Sequence, residues 1–398
     1  MTKKIRVLRI INRFNLGGPT YNATFLTAFL SDQFETLLVG GMHEENEGSA
    51  MFIPEQYGVK PKLLPALQRE INFKQDKKAL KEIRAIIREF KPDIVHTHAS
   101  KAGAIGRIAA NKEKVPVIVH TFHGHVFHSY FGKFKTAIYK TVERYLAKRS
   151  NLIIAISPLQ KKELTTIHKI ANNKKVEVVN LGFDLERFRI NKIENRIDFI
   201  EQYNVQEDEV CIGIIGRLTA IKNHQLFFNA IQKVLDKTQK RIHVFVIGDG
   251  ELMTDLKAMS EPIFESTQAR VTFTSWIKDI GLPLSRLDIV CLTSYNEGTP
   301  VSLIEAQAVG VPVISTDVGG VRDIVLENKS GLIVDSFDST VYANALLKLT
   351  EDGEHREQLG NNGWDFVKEK FHYKTLCFNI EQLYLNLLNI NDDKKKND

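Results

Sequence analysis

The chain has 398 residues, 43% of them hydrophobic and 26% charged, with a formal net charge of +6. That length exceeds what one hydrophobic core usually spans, and the composition is that of an ordinary globular protein, which excludes disordered and fibrous classes. The mildly basic balance suits an anionic ligand or an anionic membrane surface, while the sequence shows no helix-turn-helix, finger spacing or aromatic RNA-binding signature and so gives no reason to expect nucleic acid.

In chain order, Met1-Thr-Lys-Lys4 leads directly into an apolar strand instead of a signal peptide, and no apolar run reaches the ~18 residues of a membrane span. The expected location is therefore cytoplasmic. Short apolar strands at 5–11, 36–39, 94–97, 117–120, 152–156 and 176–179 alternate with longer amphipathic helices. Leu181-Gly-Phe-Asp-Leu-Glu-Arg-Phe188 then leads into a charged stretch ending at Arg196, which reads as a hinge. The alternation resumes with strands at 211–215, 243–247, 271–274, 289–292, 313–315 and 332–334. This repetition predicts an α/β protein with two parallel sheets, each wrapped by helices on both faces, in two Rossmann-like domains. A last amphipathic helix is expected over 374–390, followed by a frayed polar tail over 391–398. Cys211, Cys291 and Cys377 are an odd set in separate apolar runs, which points to reduced, buried thiols instead of disulfides or a zinc site.

Open α/β sheets bind ligands at the carboxyl ends of their strands, and the distinctive segments 12–18, 96–101, 120–128, 217–222, 248–250 and 295–301 all follow strands. The most informative is Glu297-Gly-Thr-Pro-Val-Ser-Leu-Ile-Glu305, where a helix over 301–308 follows the apolar strand. Glu297 falls in the loop before the helix and Glu305 one turn inside it. The first amides of a helix lack intrahelical partners and attract anions, while carboxylates accept hydrogen bonds from sugar hydroxyls, so one site can hold a phosphate and a polyol. Upstream, Gly216-Arg-Leu-Thr-Ala-Ile-Lys222 adds two cations in one loop. Arg217 can fork onto phosphate oxygens and Lys222 supplies a mobile point charge. Gly17-Gly18 permits a close backbone approach to a phosphate or a sugar.

The ordered set of the Gly-Arg loop ending in Lys222, Glu297 and Glu305 separated by seven residues, Gly310-Val-Pro-Val-Ile314 and Val318-Gly-Gly320 resembles the retaining, nucleotide-sugar-dependent glycosyltransferases of the GT-B fold, family 4. The resemblance covers essentially the whole chain. It implies two facing domains with a cleft between them: an acceptor-binding domain over 1–185, a nucleotide-sugar-binding domain over 186–373, and the 374–390 helix crossing back to the first. It assigns Glu305 to the ribose hydroxyls and Glu297 to the donor hexose. His123, in Thr-Phe-His123, is similar to the family histidine that orients the donor sugar, and Asp249 and Ile277 fall where relatives approach the nucleotide base. Many relatives have glycine where Pro300 stands; proline has no N–H, so Thr299 and Val301 are expected to carry the phosphate contact. His123, Arg217, Lys222 and Glu297 would act by positioning and electrostatics, with no protein nucleophile, no cofactor and no metal.

On the residues alone, plainer readings stay open. Gly17-Gly18 fits a surface turn, Arg217 and Lys222 a solvated loop, Glu305 a charge favouring its helix start, and His123 a structural histidine. The histidines at 96, 98, 120, 123 and 125 could supply imidazoles to a metal, yet no carboxylate or cysteine completes a recognisable spacing. The basic, aromatic-rich segment 127–149 fits an anionic membrane surface, or equally a helix with one buried face and one solvated basic face. The expected activity is transfer of a hexose from a nucleotide sugar, a UDP-sugar by preference, to a saccharide or lipid-linked acceptor in surface polysaccharide synthesis. The rivals are a sugar-nucleotide 2-epimerase of the same fold and a non-catalytic sugar-nucleotide-binding subunit.

Overall fold

The computed structural model describes residues 3–15, 17–42, 49–68, 70–123, 133–265, 267 and 269–397. It divides into two compact units, Met1–Phe183 with Phe371–Asp398, and Asp184–Lys370. The first unit holds a seven-stranded sheet of β1 (Ile5–Arg13), β2 (Phe34–Gly41), β3 (Lys62–Leu63), β4 (Ile94–His98), β5 (Val117–Phe122), β6 (Leu152–Ala155) and β7 (Val176–Val178), in the order β3-β2-β1-β4-β5-β6-β7. Every pairing is parallel. Parallel strands covered on both faces are predominantly apolar, and although β1 buries Arg9, β6 complies. The ends of β4 and β5 do not, because His96, Thr97, His98, His120 and Thr121 are all buried there.

Helices Phe73–Phe90 and Ser100–Lys112 cover one face, packing Ile83, Ile87, Ala102 and Ala109 on Leu8, Ile10, Val95 and Ile118. Gly103 and Gly106 allow the second of these helices to close on the sheet: a Cβ at Gly103 would stand 2.4 Å from the His120 ring, and one at Gly106 2.7 Å from Thr97. On the other face, Leu26 of helix Gly18–Ala28 and Leu376, Cys377, Ile380 and Tyr384 of the final helix Tyr373–Asn397 pack on Val7, Ile94, Val117 and Val119.

The second unit holds a six-stranded parallel sheet of β8 (Glu209–Ile215), β9 (Arg241–Ile247), β10 (Arg270–Ser275), β11 (Ile289–Leu292), β12 (Val313–Thr316) and β13 (Gly331–Val334), in the order β10-β9-β8-β11-β12-β13. Its core joins Ile212, Ile214, Val244, Val246 and Ile289 to Phe227, Phe228 and Ile231 of helix His224–Leu235 and to Tyr342 and Leu346 of helix Ser339–Glu351. In each unit the strand order reverses once, between β1 and β4 in the first and between β8 and β11 in the second, and open sheets present their ligand crevice at such a point.

Several expectations need correction. The division falls at Asp184 and Phe371 instead of 186 and 374. The charged stretch read as a hinge is helical, in Arg187–Ile190 and Lys192–Tyr203, because Phe188 and Phe199 bury their rings and draw it into the second unit. The 391–398 tail continues the final helix through Asn397. Residues 124–132, which carry His125 and the start of the basic aromatic segment, lie outside the described residues. Cys211, Cys291 and Cys377 are free and buried.

Candidate active site

In the second unit, the loops after β8, β9, β11 and β12 are stapled to one another. Gly216 N–H bonds the Ile247 carbonyl at 2.9 Å and Leu218 N–H the Asp249 carbonyl at 2.9 Å. The Lys222 carbonyl accepts from Thr293 Oγ1 at 3.0 Å, and Tyr295 N–H bonds the Ile221 carbonyl at 2.9 Å. This fixes the backbone around Lys222, whose Nζ lies 2.6 Å from Glu297 Oε1. Ser294 Oγ donates to the same oxygen at 2.6 Å. A cation and a carboxylate therefore meet at the mouth of the β8/β11 reversal, with 23% and 12% of their side chains exposed. The turn after β12 holds the Glu297 backbone from the other side: at Gly319, with φ +53°, a Cβ would stand 1.7 Å from the Glu297 carbonyl oxygen, and at Gly320 2.1 Å from that of Gly298.

Helix Val301–Val309 begins directly behind this pair, with Pro300 as its cap and no side-chain cap bond. Its first amide, that of Val301, has no intrahelical carbonyl to bond and faces an anion favourably, whereas Leu303 N–H already bonds the Pro300 carbonyl at 3.1 Å. Glu305 sits on this helix with its carboxylate 3.9 Å from Arg187 Nη2. Burial raises its pKa to about 7, against the pull of Arg187 and with a smaller push from Asp279. Arg217 is exposed and forms no ion pair among the described residues.

The structure thus brings Lys222 and Glu297 into direct contact and places Arg217, Thr299, Val301 and Glu305 on the same two loops and helix. Asp249 and Ile277 follow β9 and β10, further out along the sheet. The Asp249 carboxylate is engaged within its own region, accepting from Gly250 N–H at 2.7 Å and Ser275 Oγ at 3.0 Å. These two bonds brace its loop. Sequence reasoning also passed over Ser294 and Arg187. A signal for Ser294 existed: a polar Thr293-Ser294 directly after an apolar strand marks the sheet's carboxyl edge.

In the first unit, Gly17 adopts φ +151°, a conformation that favours glycine, and opens helix Gly18–Ala28. His123 follows β5. Its Nε2 lies 2.9 Å from Nδ1 of His98, at the end of neighbouring β4. The His98 ring lies over His96, with centroids 4.3 Å apart. His96 in turn is clamped by Tyr384 Oη at 2.6 Å on Nδ1 and Thr121 Oγ1 at 2.7 Å on Nε2. Arg9, fully buried on β1, donates to the same Tyr384 hydroxyl at 3.3 Å. Burial pushes the His123 pKa down to about 3 and those of His96, His98 and His120 well below the usual imidazole value, helped for His96 and His98 by the Arg9 cation. All four rings are therefore neutral near pH 7. Immediately after His98, Ala99 takes φ 63°, ψ 160°, a strained geometry for a residue with a Cβ that costs ~1–3 kcal/mol and collects at functional sites. Among the described residues no group of three His, Cys, Asp or Glu side chains converges to hold a metal ion.

Two Rossmann-like units with their reversal-point loops arranged in this way have the architecture of the GT-B glycosyltransferases. The structure of Anabaena Alr3699/HepE in complex with UDP matches with a TM-score of 0.78 at 18% identity, covering 96% of this chain and 100% of that one. The lipopolysaccharide glycosyltransferase WaaG matches with a TM-score of 0.69 at 14% identity, covering 95% and 98%. At these identities the likeness establishes the fold. The sequence matches Glycosyltransferase Family 4 over residues 20–187 and Glycosyl transferases group 1 over 195–365. It is 33% identical over 326 residues, 80% of this chain and 83% of the relative, to the Escherichia coli UDP-Gal:alpha-D-GlcNAc-diphosphoundecaprenol alpha-1,3-galactosyltransferase. It is 27% identical over 334 residues, 82% and 86%, to the Staphylococcus aureus capsular polysaccharide biosynthesis glycosyltransferase CapM. The chain belongs to the group 1 glycosyltransferases of family 4.

Proposed function

We propose that this glycosyltransferase moves a hexose from a UDP-sugar to a diphospholipid-linked saccharide, with retention at the anomeric carbon, in the assembly of a surface polysaccharide. The Lys222–Glu297 pair at the start of the Val301–Val309 helix carries this reading. When the glycosidic bond breaks, negative charge accumulates on the departing diphosphate, and donors fixed in advance stabilise it most effectively. Lys222, held against Glu297, is such a donor, Arg217 and the amides of Thr299 and Val301 add to it, and Glu297, held by Ser294, accepts from a hexose hydroxyl beside them. Glu305 accepts from the ribose, and His123 orients the sugar. The leaving phosphate takes the acceptor proton, so neither a protein base nor a metal is required.

The galactosyltransferase relative suggests UDP-galactose and GlcNAc-diphosphoundecaprenol as first substrates. Incubating the protein with both, with and without EDTA, should yield a lengthened lipid-linked product and free UDP in either case. Conversion of the donor to a stereoisomer without acceptor would establish the epimerase instead, and binding without any turnover the non-catalytic subunit.

The acceptor's chemistry also favours contact at the cytoplasmic face of a membrane. Helix Lys133–Arg149 buries Leu146 and Ala147 and pairs Glu143 with buried Arg107 at 2.7 Å, yet leaves Ile138, Val142 and Tyr145 exposed at 49%, 43% and 52% beside exposed Lys148 and Arg149. An apolar stripe flanked by cations suits the interface of an anionic bilayer. Among the described residues no helix is long and apolar enough to cross a membrane, so the contact is peripheral. Cosedimentation with phosphatidylglycerol vesicles should fall on replacing all three stripe residues by serine; unchanged cosedimentation would remove the stripe from the account.

A further inference from the structure

Among the buried polar atoms of the first unit that meet no partner among the described residues, two belong to one pair of rings. Nε2 of His98 and Nδ1 of His123 are buried and meet no hydrogen-bond partner among the described residues. They are the outer ends of one unit, because the inner nitrogens face each other at 2.9 Å. A buried polar atom left without a partner is costly and uncommon, and two at the ends of one pair mark a place built for a ligand.

We propose that His98 is the positioning residue of His123, holding its ring and fixing whether Nδ1 offers a proton to, or accepts one from, a hydroxyl of the reacting sugar. The inference rests on the reading of His123 as the sugar-facing histidine. With both rings neutral, one inner nitrogen must donate and the other accept. If His98 donates from Nδ1, His123 receives on Nε2 and keeps its own proton on Nδ1, so its outer nitrogen donates. If His123 donates from Nε2, its Nδ1 is bare and accepts. The two rings therefore always share one tautomer, both Nδ1–H or both Nε2–H. The support behind His98 is rigid. His96 lies under its ring and is itself held at both nitrogens by Tyr384 and Thr121. Tyr384 belongs to the final helix, which gives that helix a direct hold on the site.

The test compares His98→Ala, His98→Asn and His98→Gln in turnover of UDP-galactose with GlcNAc-diphosphoundecaprenol. An asparagine amide reproduces the position of Nδ1, which makes the bond, whereas a glutamine amide reproduces Nε2, which does not. His98→Ala and His98→Gln should lower kcat by about 30–100-fold, the scale of a catalytic group misplaced by roughly an ångström. KM for the donor should stay within about threefold, because the residues read as holding the nucleotide lie in the other unit. His98→Asn should recover most of the loss. Adding His98→Ala to His123→Ala should cause no further loss, since His98 acts through His123. Equal effects of Asn and Gln, additive losses in the double variant, or losses that merely follow the melting temperature would overturn the proposal. Nitrogen-15 histidine spectra of the wild-type protein test the pairing without any variant: one shared tautomer is expected, and different tautomers on the two rings would refute it. A wild-type protein inactive on every nucleotide sugar would instead sink the functional reading, leaving these spectra to decide the pairing.

Discussion

Glu305 gives the second unit a pH dependence whose size follows from its surroundings. Its pKa is raised to about 7, and a carboxylate accepts hydrogen bonds from two ribose hydroxyls only when ionised. The competent fraction is therefore about 0.9 at pH 8 and about 0.1 at pH 6, and the apparent Kd for the donor should rise about tenfold, or ~1.4 kcal/mol, between them. UDP-galactose is the suitable titrant, because its diphosphate diester does not change charge over this range as the terminal phosphate of UDP does. Calorimetric titration at pH 6, 7 and 8 should show the rise for the wild-type protein and a weak, flat affinity for Glu305→Gln. The same group acts on stability with the opposite sign. Its folded pKa lies above the ordinary 4.5, so the folded state holds the proton longer, and stability is lost as pH climbs from about 4.5 to 7. The pKa difference bounds this loss at ~3 kcal/mol, and the 17% exposure of the side chain reduces it. A wild-type affinity that ignores pH, or a Gln variant that keeps the slope, would refute the assignment of Glu305 to the ribose.

Other consequences concern the buried histidines, the Gly-Gly turn and the cation. His96, His98, His120 and His123 all have folded pKa values below the unfolded 6.5, so their contribution to stability is present above that pH and is lost as pH falls; His123, with its pKa pushed down to about 3, should alone cost ~2 kcal/mol at pH 5 and the other three add in the same direction, read as a steep fall in melting temperature that His96→Gln lessens. Gly319→Ala drives a Cβ into the Glu297 carbonyl and should reduce kcat more than tenfold, with a stability loss of ~1–3 kcal/mol by urea denaturation; an active variant would mean the Glu297 loop need not stay where it is. Lys222→Ala removes the charge 2.6 Å from Glu297 and should lower kcat by ~10²–10³-fold in steady-state assays, the scale of one lost transition-state donor.

The strands were readable because parallel strands buried on both faces must be apolar runs, and twelve of the observed spans agree with the sequence reading to within two residues. The exception, Lys62–Leu63, is a two-residue edge strand with both residues exposed, so no apolar run betrays it. The stretch to Arg196 misled because its charges suggest a solvated linker, whereas the few rings that anchor it, Phe188 and Phe199, make it part of the second unit. At the proposed site, motif spacing singled out Lys222, Glu297 and Glu305 through a helix start that follows an apolar strand, and the structure brings the first two into contact. What spacing cannot encode is which side chains meet. The Lys222–Glu297 contact spans 75 residues, and the His98–His123 bond depends on the adjacency of β4 and β5. The protonation of Glu305 arises from burial that exists only after folding. The bonds that Asp249 accepts from Gly250 and Ser275 are likewise set by the fold and not by its Gly-Asp-Gly setting.

Calorimetric titration of UDP into the wild-type protein, Lys222→Ala and Arg217→Ala examines the proposed diphosphate site most directly. Micromolar-range binding by the wild-type protein, weakened at least tenfold in each variant, is the predicted result. Equal affinity in all three proteins would contradict it.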